Sequence, residues 1–230
     1  VIKFEHKIFH MHLIGTVVLL LFIHVTVAQT VSASLPKPVD KKGLYLFYLH
    51  GGSVTVLGDN SINNGAPEWG PYEYSYILDS LRIRGFYVIS ERRFPEVKDS
   101  SYAVKISGQI DSLLKAGVPV RNIVVVSASA GWAISYRISD RLRNDSLHFV
   151  KMGGCRQDDY KEVENSELHG HFLSIIEKSD PRGSCGNLFK RQNRIVSYKE
   201  VVLNTGLSHG FFYKGRKAWI DPIVEWFDKN

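Results

Sequence analysis

The chain is 230 residues long, 44% hydrophobic and 23% charged, an ordinary globular composition that excludes a disordered or fibrous protein. One domain is expected at this length. The formal charge of +6 is spread along the chain, with no basic block and interleaved aromatics to mark a nucleic-acid surface.

Lys3 and Lys7 precede an apolar run from Leu13 to Val27, which closes on Thr26, Val27 and Ala28. That is the layout of a secretory signal peptide, residues 1–28, with cleavage after Ala28. The run is short for a bilayer span, which takes about 20 apolar residues, and His24 interrupts it; an uncleaved anchor is the alternative. The mature chain is therefore expected to be exported, to a periplasm or out of the cell, without an integral membrane segment. Residues 29–42, with Pro36 and Pro38, read as an extended lead-in that has no core face. The folded domain, 43–230, is expected to begin at Gly43.

Apolar runs rich in Val, Ile, Leu, Phe and Tyr predict strands over 44–49, 86–90, 122–126, 148–152, 172–176 and 200–204. Helical spacing predicts helices over 72–84, 102–116, 131–142 and 216–227, with Gly85 and Gly117 as stops. Alternation of this kind implies an α/β protein: a three-layer α/β/α sandwich around a mostly parallel sheet of about six strands. The segment 51–71 holds five glycines and few periodic apolar positions. It is predicted to be a long loop that forms one wall of a pocket. Trp69, Tyr72, Tyr74 and Tyr76 read as a helix packing face, with an aromatic or sugar-binding wall as the alternative.

Cys155 and Cys185 lie in the part predicted to be exported, where an oxidising compartment permits a disulfide. Adjacent parallel strands would bring them together, and free thiols are the alternative. The HxH pair His169 and His171 lacks a third ligand at a metal-binding spacing; a solvated loop explains it better. No metal or cofactor is implied.

The chemistry centres on Val124–Val125–Val126–Ser127–Ala128–Ser129–Ala130–Gly131–Trp132, where an apolar strand runs into a helix through small residues. A serine at such a bend is forced into a strained conformation that lifts its Oγ above the sheet edge. The helix beginning just after it offers free N–H groups and a dipole favourable to negative charge. This stretch resembles the nucleophile elbow of the α/β-hydrolase superfamily, with Ser127 in place of the first glycine of G-x-S-x-G.

The resemblance covers the chain from Gly43 onwards and implies a set of roles. Ser129 is the nucleophile. His50–Gly51–Gly52–Ser53 is similar to the HGG segment after the third strand of that superfamily, so Gly52 or Ser53 would join Ala130 in an oxyanion hole, with His50 a structural residue. His209, on the glycine-flanked loop after the last strand, would be the general base. Asp180, just past the strand 172–176, would orient it, with Glu177 as the alternative acid. The fold implied is a trimmed, lid-less version of the superfamily sheet. The function implied is a secreted esterase-like serine hydrolase working through an acyl-enzyme on a small ester or acyl substrate. A non-catalytic binding protein on the same fold, and an acyltransferase using the same residues, are the alternatives; substrate identity and oligomeric state are not legible.

Overall fold

The computed structural model describes residues 29–66 and 68–227; the predicted signal segment lies outside the described residues. Seven strands form one sheet: β1 (Val31–Ser32), β2 (Leu44–Leu49), β3 (Phe86–Ile89), β4 (Ile123–Ala128), β5 (His148–Met152), β6 (Gly170–Glu177) and β7 (Ile195–Leu203). Their order is β1-β3-β2-β4-β5-β6-β7, and every neighbouring pair runs parallel. Strands β3, β4 and β5 are buried along their whole length. They are continuous apolar runs because helices cover both faces of the sheet.

Side chains alternate between the two faces, and each face has its own core. Tyr45, Phe47, Ile123 and Val125 pack with Ile106 and Ile110 of α4 (Asp99–Lys115) and Ile134 and Ile138 of α5 (Trp132–Leu142). Leu46, Tyr48, Val124 and Val126 pack on the opposite side with Ile77 and Leu81 of α3 (Tyr74–Arg82) and Ile220 and Ile223 of α8 (Lys217–Phe227). The result is a three-layer α/β/α sandwich.

The chain steps from β2 to β3 on one side and then returns to place β4 on the other side of β2. Connections that leave in opposite directions open a crevice at the carboxyl ends of β2 and β4, where α/β proteins bind their ligands. Residues 50–53 and 129–131 emerge there.

Three expectations are corrected. The lead-in contributes a seventh strand, with Val31 and Ser32 in register with Val88 and Ile89, and its Leu35 and Val39 pack against the core. The segment 51–71 contains two short helices, α1 (Gly52–Leu57) and α2 (Asp59–Asn63). Each buries a single side chain, Val54 and Ser61 respectively, so neither prints an apolar period. The last strand begins at Ile195, five residues before its expected start, and its edge position leaves it only half-buried with mixed polarity. Two further short helices, α6 (Gln157–Glu162) and α7 (Gly186–Lys190), carry the loops after β5 and β6.

His148 on β5 is buried, and neither ring nitrogen has a hydrogen-bond partner among the described residues. The ring stacks on His171 and meets Trp226 and Phe227 edge-on. Burial, with His171 adding to it, lowers its pKa to about 4. A folded-state pKa below the unfolded value makes the stabilising contribution complete above pH 6.5 and progressively lost between pH 6.5 and 4. His148→Phe is expected to flatten the stability profile across that interval by about 3 kcal/mol, measured by urea unfolding at a series of pH values.

Candidate active site

The end of β4 turns through Ser129–Gly131, a single 3₁₀ turn, directly into α5. Ser129 takes φ +49°, a left-handed conformation that costs an L-residue about 1–2 kcal/mol. It persists because both flanks are fixed. A Cβ added at Gly131 would sit 2.3 Å from the carbonyl oxygen of Leu49, so the turn closes against the end of β2 only with glycine there. Ser127 is buried, and its Oγ donates to the carbonyl of Val150 at 2.8 Å. The second hydroxyl of the elbow is thus committed to the neighbouring strand, whereas Ser129 remains partly exposed at the crevice.

Across the crevice, Gly51 and Gly52 lie against this turn. A Cβ on Gly51 would lie 3.6 Å from that of Ser129, and one on Gly52 would lie 3.3 Å from that of Ala130. Gly52 and Ser53 open α1, so their amides have no intrahelical partner; Ala130 occupies the same situation just before α5. His50 is fixed by its neighbours. Its Nε2 accepts the backbone N–H of Arg93 at 2.9 Å, leaving Nδ1 to donate to the Gly51 carbonyl at 2.9 Å. Burial and the charge of Arg93 lower its pKa to about 3, a neutral ring that holds the glycine loop.

His209 opens a 3₁₀ turn, His209–Tyr213, and is not on a plain loop as expected. Its Nδ1 lies 2.6 Å from Asp180 Oδ2, and both groups are buried. A carboxylate partner requires the proton on Nδ1 and leaves Nε2 as the acceptor. Burial lowers the His209 pKa against the opposing pull of Asp180, and the charges of Arg182 and Lys151 add to the lowering. Burial disfavours charge on Asp180 as well, but the hydrogen bond with His209 and the N–H of Arg182 outweigh it and lower its pKa.

Glu177 serves a different end. It accepts the N–H groups of Ser179, Thr205 and Gly206 and the hydroxyl of Ser179, tying the loop after β6 to the loop after β7. Burial works against its charge, yet these donors pull its pKa down to about 2. It makes no contact with His209 among the described residues.

Gly153 and Trp69 shape the histidine's seat. A Cβ at Gly153, which has φ +88°, would fall 2.6 Å from Cε1 of His209, and Trp69 meets the ring edge-on at 5.6 Å. Gly153→Ala is expected to displace the imidazole and to cost about 2 kcal/mol of stability, read from thermal melts of the two proteins.

Ser129, Gly52, Ser53 and His209 line one cavity of about 280 Å³, walled by Trp69, Tyr72, Phe212 and Tyr213. The expected aromatic cluster therefore divides. Trp69 and Tyr72 face the cavity, Tyr74 is buried and bonded to Ser90, and Tyr76 is exposed. A second chamber of about 160 Å³ touches Ser129 from the α5 side and is lined by charge. Lys151 lies in it, buried over the Trp132 ring with its Nζ 3.7 Å from Asp159. Burial lowers its pKa to about 8 against the pull of Asp159. Lys151, Arg156 and Arg182 were not among the expected site residues; Lys151 is in β5, Arg156 in the loop after it and Arg182 in the loop after β6, and no motif groups them.

Cys155 and Cys185 form a disulfide that joins the loops after β5 and β6. His169 bonds to Asp145 and His171 to Ser197, so the HxH pair is divided between a hydrogen bond to the Asp145 loop and the sheet.

No protein-family model matches the chain, and no curated protein is significantly similar to it in sequence. Solved structures are similar in fold. MGS-MChE2, an α/β hydrolase enzyme from a lagoon-sediment metagenome, is 14% identical with a TM-score of 0.52, over 82% of this chain and 92% of that one. SOBER1 of Arabidopsis thaliana is 12% identical with a TM-score of 0.51, over 80% and 97%. Esterase B of Lactobacillus rhamnosis, solved inhibited by a tributyrin phosphonate, is 11% identical with a TM-score of 0.57, over 83% and 76%. With its parallel seven-stranded sheet and helices on both faces, the chain has the α/β-hydrolase fold.

Proposed function

We propose that the chain is an exported serine hydrolase that cleaves small esters through an acyl-enzyme. The single observation that carries this reading is the hydrogen bond from His209 Nδ1 to Asp180 at 2.6 Å, made by a histidine that lines one cavity with the strained Ser129. The occurrence of esterases among its structural neighbours supports the reaction class, and a disulfide fits an oxidising compartment outside the cytosol.

In this mechanism Ser129 Oγ attacks the ester carbonyl carbon while His209 Nε2 takes the hydroxyl proton. The carbonyl oxygen becomes an oxyanion, held by the amides of Ala130 and of Gly52 or Ser53. The tetrahedral intermediate collapses, the C–O bond to the alcohol breaks, and His209 returns the proton to the departing alkoxide. Water then attacks the acyl-Ser129 by the same path and releases the acid. Asp180 fixes the imidazole tautomer and stabilises the imidazolium that forms twice per cycle.

A panel of p-nitrophenyl esters of rising chain length, assayed on wild type and Ser129→Ala, tests the reaction, the nucleophile and the pocket depth together. Turnover by wild type that is lost in the variant is expected; equal rates in both would overturn the reading. The environment of His209 predicts the pH profile. The base must be neutral, and its pKa is lowered from the ordinary 6.5. On neutral esters kcat/KM should therefore reach a plateau at alkaline pH and decline tenfold per unit on the acid side, with its midpoint below 6.5. A midpoint at or above 7 would contradict this.

A further inference from the structure

Two guanidinium groups, those of Arg156 and Arg182, line the aromatic cavity that contains Ser129, and no carboxylate is among the described residues that line it with them. They arrive from different loops. Arg156 follows Cys155 and Arg182 precedes Cys185 by three residues, so the disulfide clamps the two loops together. The clamp is tight: Cys155 N–H donates to the Gly183 carbonyl, and a Cβ on Gly154 would lie 2.7 Å from that of Arg182.

Arg182 forms a long ion pair with Asp180, Nη1 to Oδ2 3.8 Å, and its Nη1 has no hydrogen-bond partner among the described residues. Arg156 is exposed and forms no ion pair among them. The acids Asp99, Asp159 and Glu162 line the adjoining chamber, together with Lys151 and the same two arginines. Two like charges on an aromatic-walled cavity that also contains the candidate nucleophile suit an anionic group. Planar guanidinium forks match a carboxylate.

We propose that the substrate is an ester carrying a carboxylate, which Arg156 and Arg182 bind while the aromatic wall holds its apolar part. This rests on the serine-hydrolase reading and specifies its substrate class. The carboxylate can belong to the acyl half or to the alcohol half, and two matched pairs separate these. The pairs are mono-p-nitrophenyl glutarate with its methyl ester, and p-acetoxybenzoate with its methyl ester.

At low ionic strength, the anionic member of one pair is expected to show kcat/KM about tenfold above its methyl ester. The preference should shrink in high salt. Arg156→Gln and Arg182→Gln should each bring the anionic-to-neutral ratio towards one, mainly through KM. Arg182 also neighbours Asp180, so its loss should slow every ester; the ratio is therefore the readout for both variants. Methyl esters turned over at least as well as both anionic esters, or a preference that survives both substitutions, would overturn the inference and leave the hydrolase reading standing. No turnover of any of the four, with Ser129 unlabelled by a fluorophosphonate, would overturn both.

Discussion

Ser129→Ala is expected to lower kcat/KM for every ester by about 10⁵-fold while leaving the fold intact. The hydroxyl is the only group at the elbow free to attack, because Ser127 donates its own to Val150. Removing it eliminates covalent catalysis outright; the residual rate would come from the oxyanion amides and binding alone. Stability should scarcely change, since alanine meets the same penalty at φ +49°. Ser129→Gly relieves that penalty and is expected to raise stability by about 1 kcal/mol with equal loss of activity. Kinetics and denaturant unfolding on the three proteins together distinguish a strained functional serine from a structural one. A Ser129→Ala protein that retains a tenth of the activity would sink the assignment.

The second large effect separates two acids three residues apart. Asp180→Asn should lower kcat by about 10⁴-fold with little loss of stability, because an amide in that place allows the wrong imidazole tautomer. Glu177→Gln should act the other way round. Its carboxylate receives three backbone amides and a hydroxyl, and losing the charge is expected to cost about 2 kcal/mol. The sign in pH follows. The folded pKa, about 2, is depressed below the ordinary 4.5, so this contribution is present above pH 4.5 and lost as pH falls towards 2. Acid unfolding of the wild type should be steeper across that window than that of Glu177→Gln. If instead Glu177→Gln removed activity at unchanged stability, the roles of the two acids would be reversed.

The sheet was legible where the chain is buried on both sides. Val124, Val125 and Val126 lie deep in the core, and such runs advertise themselves by composition. So did the bend, because the close approach of Gly131 to Leu49 leaves a small-residue signature around Ser129. Elements that owe their form to neighbours left no such trace. Strand β1 is two residues long and exists because β3 offers an edge; α1 and α2 each bury one side chain.

The candidate site divides along the same line. His209 and Asp180 stand in chain order behind Ser129, but the sequence leaves Glu177 open as an alternative to Asp180. What separates them is the direction of two carboxylates, one towards the imidazole and one towards the Thr205 loop. Arg156, Arg182 and Lys151 carry no motif at all. They converge because the loops after β5 and β6 are held together by Cys155–Cys185, a relation that exists only in space.

The central claim is that one serine is activated by one histidine, and covalent titration tests it most directly. A fluorophosphonate incubated with the native protein, followed by peptide mapping, should add one label per chain. That label should lie on Ser129, should be absent from protein denatured beforehand, and should form far more slowly in His209→Ala. A native protein that stays unlabelled, or that carries the label on another residue, would contradict the account.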